Sequence, residues 1–408
     1  MDVLLSEEEL VIQESLRDFF SNESTPELVR AAEGAAERYS RGFWKIAADL
    51  GWLGISTPEA HGGQGLPLSY LGLMLEEAGR ALALLPLHGH VVVATVLQRH
   101  AAGAPLEVLP KLADGSVLAS FAFQPESGVW DIGALGLTGR RNGDGFVLDG
   151  AVSFVDNFRN ADVVLVAFAI EGEGEVGLAL LDSSADGVSS YALSPMAKDS
   201  QSHVSFDAVR VPAEALVAPG AGQAALRELM DFASAFYVSL MAGAAGQAMD
   251  FAVEYSKERV AFGQPIGAFQ AIQHMAADMV NAVDGSQLLV REAMWRLDSG
   301  LSSTIEIAQA KAFASEKCVA VCRSAQQVHG GIGFIDEFDL QLWYRRVGSW
   351  SMRGGARRGN IAPAWRRPCW TCLARSGSGW RLKRRNAWPS PVPTGTRHLT
   401  TCSGRSDI

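Results

Sequence analysis

Cysteine is scarce in this chain, five in 408 residues, and no set of them has the spacing of a zinc site. Cys369 and Cys372 form a CxxC with no second pair, so no metal site is expected. Cys318 and Cys322 lie four apart on a helical pattern and read as buried, reduced thiols, which makes the cytoplasm the default compartment. The start of the chain lacks a basic segment followed by an apolar one, so no signal peptide is expected. No nucleic-acid motif is present. The longest uncharged run, Phe232 to Met249, approaches the length of a membrane span. It is rich in Ala, Gly and Ser and bounded by Asp231 and Asp250, so it reads as a buried helix packed on other helices.

Acidic residues, by contrast, are plentiful until they stop. Residues 1–351 carry 23 Lys+Arg against 44 Asp+Glu, whereas residues 352–408 carry 12 Lys+Arg and the single acid Asp407. Four of the ten Trp and three of the five Cys also lie in that short basic tail, a composition unlike that of nucleic-acid- or membrane-binding tails. Shifting the reading frame of Gly359–Leu373 by two bases allows a Glu-His-Arg-Ala-Arg-Val-Ala-x-Ala-Leu-Leu-Asp-Met-Pro sequence with helical apolar spacing. A frameshift near Arg357–Gly359 is therefore expected, and 357–408 reads as an out-of-frame, disordered tail.

The remainder divides into three. Residues 1–116 read helical, beginning with the capping box Ser6-Glu7-Glu8-Glu9; helices are expected at 41–50, 67–83 and 89–101 around a Gly- and Pro-broken loop at 57–65. Residues 117–214 turn to short strands, at 117–123, 146–155, 162–170, 176–181 and 203–211, with a hairpin signal at Asn142-Gly143-Asp144-Gly145. They predict a small antiparallel barrel or sandwich. Residues 222–356 return to helix, with three long periodic stretches that predict a four-helix-type bundle.

Two segments carry chemistry. Gln327-Val328-His329-Gly330-Gly331-Ile332-Gly333 closes a long helix in glycines, which permits close approach of backbone to a phosphate and equally suits a plain helix C-cap. Arg259, followed by Phe262-Gly263-Gln264-Pro265 and Gln270, sits at a corner between two helices. A guanidinium there can hold a pyrophosphate bidentately or form a surface salt bridge with Glu254 or Glu258.

Together, in this order and separation, these segments resemble the two signature regions of acyl-CoA dehydrogenases; Gly51–Glu59 with Gly62, Gly63 and Gly65 resembles the family's N-terminal loop. The resemblance covers about 350 residues. It implies an α+β fold: an α-helical N-terminal domain, an antiparallel β middle domain and a C-terminal four-helix bundle. It implies FAD as cofactor, an acyl-CoA substrate, electron-transfer flavoprotein as acceptor, and a homo- or hetero-oligomer (dimer or tetramer). It also implies that Arg259 contacts a neighbouring subunit's flavin pyrophosphate, with Phe262 near the adenine, Gln270 on the adenosine, and Gln327, Gly330 and Gly331 along the pyrophosphate.

The chain departs from that pattern at the catalytic base. α,β-Desaturation of a thioester needs a carboxylate to take the α-proton. Gly354 stands at one of the two positions where the family places its Glu, and Ala233 at the other. Asp231 is the alternative acid, with Glu228 nearby, both expected on other helix faces. Phe154-Val155-Asp156 replaces the family's ring-binding Trp-Ile-Thr/Ser segment, setting a negative charge where a flavin ring would lie. Base-less chains of this kind resemble one subunit of the heterotetrameric acyl-CoA dehydrogenases of actinobacterial sterol degradation. A non-catalytic assembly subunit, and a flavin monooxygenase or oxidase on the same fold, are the alternatives.

Overall fold

The computed structural model describes residues 4–355; the expected frameshift, the CxxC and the out-of-frame tail lie outside them. Ten α-helices and ten strands are present among the described residues. The first layer is helical: α1 (Glu7–Glu23), α2 (Pro26–Gly34), α3 (Arg41–Asp49), α4 (Leu68–Arg80), α5 (Leu87–His100) and α6 (Leu109–Ala113). α1 starts on the expected capping box: the Glu9 amide donates to Ser6 Oγ at 3.2 Å and the Ser6 amide to Glu9 Oε2 at 2.8 Å. α2, missed by periodicity because it buries only Val29, has Thr25 as N-cap and Pro26 in its first turn.

Strands follow: β1 (Ala119–Ala122), β2 (Leu137–Asn142), β3 (Gly145–Asp156), β4 (Val163–Ile170), β5 (Val176–Asp182), β6 (Val188–Ala192), β7 (Gln201–Val211) and β8 (Leu216–Val217). They form one eight-stranded sheet in which β6-β7-β3-β2-β4-β5-β8 are neighbours in that order and β1 also pairs β4. Most pairings are antiparallel, as expected; β1 and β2 run parallel to β4, so the sheet is mixed. β2 and β3 meet at the Asn142–Gly145 hairpin. β6 and β2 went unread in the sequence because β6 is mostly exposed and β2 ends in exposed polar residues, leaving no apolar alternation to follow.

The third layer is α7 (Gly222–Glu258), a short hairpin of β9 (Val260–Ala261) and β10 (Gln264–Pro265), α8 (Gln270–Asp298), α9 (Thr304–His329) and α10 (Leu340–Met352). α7 is the one described helix long and apolar enough to cross a membrane, and 89% of its apolar stretch is buried inside the protein. Its neighbours explain how. A Cβ on Gly243 would lie 1.8 Å from Glu76 O, and one on Gly79 would lie 2.1 Å from Leu240 O. α4 and α7 therefore meet backbone to backbone, which only glycine allows. α8 supplies Asp298 as an external cap for α4, accepting from the Leu68 amide at 2.7 Å and the Ser69 amide at 3.1 Å. These contacts join the first and third layers into one core.

Candidate active site

At one end of the bundle, the last turns of α7 and α9 lie side by side. Tyr255 stacks on His329 with ring centroids 4.4 Å apart, which ties the Arg259 corner to the glycine cluster 70 residues later. Gly330 caps α9 with φ +64°, its N–H shared between the Gln326 and Gln327 carbonyls, so the plain helix-cap reading holds as far as it goes. Beyond that cap, a Cβ built on Gly330 or Gly331 would meet nothing within 4 Å. The backbone here is open to approach.

Arg259 is exposed and makes no ion pair among the described residues; Lys257 takes Glu254 instead, at 2.6 Å. The surface salt bridge that would have explained Arg259 structurally is thus absent. Gln270 and Gln327 are exposed as well. Phe262, at the tip of the β9–β10 hairpin, is 94% exposed and held at φ +53°. A large aromatic in left-handed backbone, touching little of its own chain, is costly unless something outside covers it.

The middle of the molecule behaves in the opposite way. The β3–β7 pairing shifts register between Val152 and Val155, and Phe154 and Asn157 take positive φ, 61° and 55°. This bulge turns Asp156 inward. There, Tyr237 of α7 donates to Asp156 Oδ2 at 2.6 Å and Arg353 donates to Oδ1 at 2.8 Å. Arg353 also grips Asp199 at 2.5 Å, and Gln201 donates to Asp156 Oδ1 at 3.2 Å. The charge expected of Asp156 is therefore neutralised from within the chain. Burial pushes the Asp199 carboxyl up, but the Arg353 and Arg346 charges outweigh it and hold it below its ordinary range. Burial and then Asp156 push the Tyr237 hydroxyl well above its usual value, so it stays a donor.

Tyr237 stacks on His88 of α5, centroids 3.6 Å apart. His88 Nε2 meets the Ala233 carbonyl at 2.9 Å, so Nε2 carries the proton; Nδ1 is buried without a partner. Burial drives His88 down to about 4, and it is neutral at pH 7. Ala233, one of the two base positions, is fully buried beneath this ring.

Gly354, the other base position, has φ +67°; a Cβ there would meet Lys311 Cε at 3.1 Å and Tyr237 Cδ2 at 3.3 Å. Lys311 is 1% exposed. It donates to Ser315 Oγ at 2.8 Å and to the carbonyls of Trp350 and Ser351 at 3.2 and 3.4 Å, capping the end of α10. Burial lowers Lys311 to about 7. The space beside the vacated carboxylate position thus holds an amine.

Asp231 corrects an expectation. It does not point away: it lines, with Lys311, Ser234, Thr304 and Gly354, one cavity of about 180 Å³. Thr304 donates to it at 2.7 Å, and burial raises it to about 6. Glu228 does leave, pairing with His100 at 3.2 Å. Sequence reading missed His88, Tyr237, Lys311 and Asp199 as site residues. Lys311 had a signal: a lone charge within the buried Ile307, Ala310, Ala314 face of α9.

Three layers ending in an open corner suited to a pyrophosphate, beside a recess between sheet and bundle, define a flavin-dependent oxidoreductase fold. Family models for the acyl-CoA dehydrogenase N-terminal domain and C-terminal domain match residues 6–116 and 220–358. The chain is 31% identical over 355 residues to cyclohex-1-ene-1-carbonyl-CoA dehydrogenase of Geobacter metallireducens, covering 84% of this chain and 92% of that one. It is 29% identical to subunit CarC of the caffeyl-CoA reductase-Etf complex of Acetobacterium woodii, covering 83% and 92%. A solved structure of a Tcur3481-Tcur3483 steroid ACAD variant superposes with TM-score 0.80 at 29% identity, covering 88% of this chain and 98% of that one. The chain belongs to the acyl-CoA dehydrogenase family, FAD-dependent oxidoreductases that desaturate acyl-CoA thioesters between the α and β carbons.

The described residues fit that cofactor at one end. The free guanidinium of Arg259 and the open glycine backbone suit a doubly negative pyrophosphate. At the other end they do not fit: the recess walled by Phe123, Gln124, Phe154, Asp156, Tyr237 and Arg353 retains only about 20 Å³.

Proposed function

We propose that the chain is the base-less subunit of a heteromeric acyl-CoA dehydrogenase. It supplies Arg259, Phe262, Gln270, Gln327, Gly330 and Gly331 to a flavin whose ring and catalytic carboxylate belong to a related partner. The observation that carries this reading is Gly354: no carboxylate is there, and the Lys311 side chain lies beside it. Asp156 and Asp199 are taken up by Arg353; Asp231, raised to about 6, is held by Thr304 and faces Lys311's cavity, not the recess between sheet and bundle. Pairing with a second, related chain follows the two-part name of the steroid ACAD to which the chain is similar. That likeness also favours a bulky acyl group such as a steroid side chain. The CarC likeness favours electron-transfer flavoprotein as acceptor.

In this role each residue has a task the chain can perform unaided. Arg259 would neutralise pyrophosphate charge, the glycine backbone would allow its close approach, and Phe262 would cover the adenine. The hairpin and the exposed Val280, Leu288 and Trp295 of α8 give the partner an apolar face. We assign 1–116, 117–214 and 222–356 as N-terminal, middle and C-terminal domains, and the cytoplasm as compartment on the strength of the buried free thiols Cys318 and Cys322.

An anaerobic absorbance titration tests this. The full chain is prepared alone and co-expressed with a base-bearing family member, then titrated with acyl-CoA thioesters that include steroid side-chain ones. Bleaching of the flavin band only in the co-expressed preparation is expected. Bleaching by the chain alone would overturn the proposal.

A further inference from the structure

The recess between the sheet and α7 is where a flavin ring would have to sit on this chain; its walls are mostly aromatic and apolar, and an ion pair, Arg353 with Asp156, crosses it. Arg353 leaves the end of α10 and enters the recess. Its guanidinium is bound by Asp156 Oδ1 at 2.8 Å, Asp199 Oδ2 at 2.5 Å and Ser349 Oγ at 2.8 Å. Tyr237 closes the far side of Asp156. Lys311 fixes the segment that delivers Arg353 by capping the Trp350 and Ser351 carbonyls, and Ser234 donates to Gly354 O at 3.1 Å. Trp130 lies against Gly355, 3.0 Å from its built Cβ, on the next wall. What remains, about 20 Å³, is room for about one water, whereas ligand pockets begin near ~300 Å³.

We infer that Arg353 and Asp156, with Asp199 anchoring Arg353 from behind, form an internal plug that replaces the flavin ring on this subunit, so that the chain presents only the dinucleotide end of a flavin site. The inference rests on the shared-site reading above and makes it specific. It assigns the exclusion to three named side chains, not to the missing base. The plug is self-consistent as chemistry. Two carboxylates only 13–14% exposed are held by one guanidinium that gives an N–H to each, and a neutral flavin ring entering the recess would have to pull Arg353 away without offering a charge in exchange. Asp156 cannot simply turn away, because Tyr237 and Gln201 also hold it.

The test separates the two ends of the cofactor by using probes that carry one end each. The full chain is titrated with lumiflavin, which has the ring and no pyrophosphate, and with ADP, which has the pyrophosphate and no ring; fluorescence and calorimetry read binding. The same titrations are run on Asp156→Thr/Arg353→Ser, with circular dichroism as the check on folding, and on the milder Arg353→Gln. The wild-type chain is expected to leave lumiflavin fluorescence unchanged, and the double variant to bind lumiflavin at least about tenfold more tightly than wild type. Lumiflavin bound and quenched by the wild-type chain overturns the plug, whatever the variants do. A folded double variant that still excludes lumiflavin overturns the assignment to these side chains. ADP binding reports on the other end alone. Its loss would sink the shared-site reading while the lumiflavin result still decides the plug.

Discussion

The two ends of the groove obey opposite rules. At the bundle end, Arg259, Gln270, Gln327 and Phe262 stand exposed, and Arg259 makes no ion pair among the described residues. Around the recess, Tyr237 is buried, the side chains of Arg353, Asp156 and Asp199 are only 13–14% exposed, and the four pair with one another, leaving Asp199 Oδ1 without a partner. Leaving polar groups free on a surface costs little, while leaving a charge free in the interior costs several kcal/mol. A chain that keeps one end open and pairs the other internally is therefore arranged to receive a ligand at the first end and not at the second.

Breaking the closed end should have the largest effect. Arg353→Met strands two buried carboxylates and should cost about 3–5 kcal/mol of stability. Denaturant unfolding at pH 7 checks it; a loss below about 1 kcal/mol would mean that water already reaches the recess. Adding Asp156→Asn and Asp199→Asn to Arg353→Met should recover much of the loss, since no charge is then left unpaired.

Acid probes the same interior next. His88 and His90 are both lowered to about 4 by burial, from an ordinary value near 6.5. Between those values the unfolded chain binds protons that the folded chain refuses. Stability is thus fully present above about 6.5 and falls as pH drops towards 4, by roughly 3 kcal/mol for each ring. Asp231, raised to about 6, works in the other direction between its ordinary value and 6, and offsets part of the loss. Asp231→Asn should therefore steepen the acid dependence. A stability profile flat from pH 6.5 to 4.5 in that variant would show that the histidines are not shielded.

How much of this contrast could be read from the sequence follows from its locality. The open end was legible because it is encoded in two contiguous runs, Arg259–Gln270 and Gln327–Gly333, whose glycines and Arg keep their spacing whatever surrounds them. The closed end was half legible. Gly354 and Ala233 marked what is missing, and Asp156 marked a charge out of place. Its neutraliser could not be seen, because Arg353 reaches Asp156 across 197 positions and Asp199 across 154, and the β3 bulge sets Asp156 where Arg353 can meet it. Asp231 was misplaced because ideal helix geometry sets its face but not the width of the cavity between α7 and α9. In the fold, long periodic helices were legible, whereas α2 and β6 were too exposed to leave a pattern.

Restoring the base is a sharper, smaller perturbation. Gly354→Glu should not create activity in the chain alone. The new carboxylate would lie beside the Lys311 amine and pair with it, becoming too weak a base for an α-proton. The substitution also places a side chain at φ +67°, costing about 1–2 kcal/mol. Thermal melting and the anaerobic titration read the two effects together. Bleaching gained by Gly354→Glu alone would show that the recess admits a flavin, and would remove the distinction between the two ends.

The smallest expected effect lies at the open end, and its sign is the informative part. Phe262→Gly removes an aromatic that is 94% exposed and relieves left-handed strain at φ +53°, so the chain alone should be unchanged or more stable by up to about 1 kcal/mol. If Phe262 exists to meet a partner and its adenine, the same change should weaken assembly and flavin retention by about tenfold or more. Sedimentation of the co-expressed pair and its flavin content measure this. Stability rising while assembly falls is the signature of a residue kept for something outside its own chain. Arg259→Lys should share the second effect without the first, because it keeps the charge and loses the two-pronged geometry. A Phe262→Gly chain that is less stable alone and assembles normally would make the hairpin a part of this subunit's own architecture, and the open end would no longer differ from the closed one.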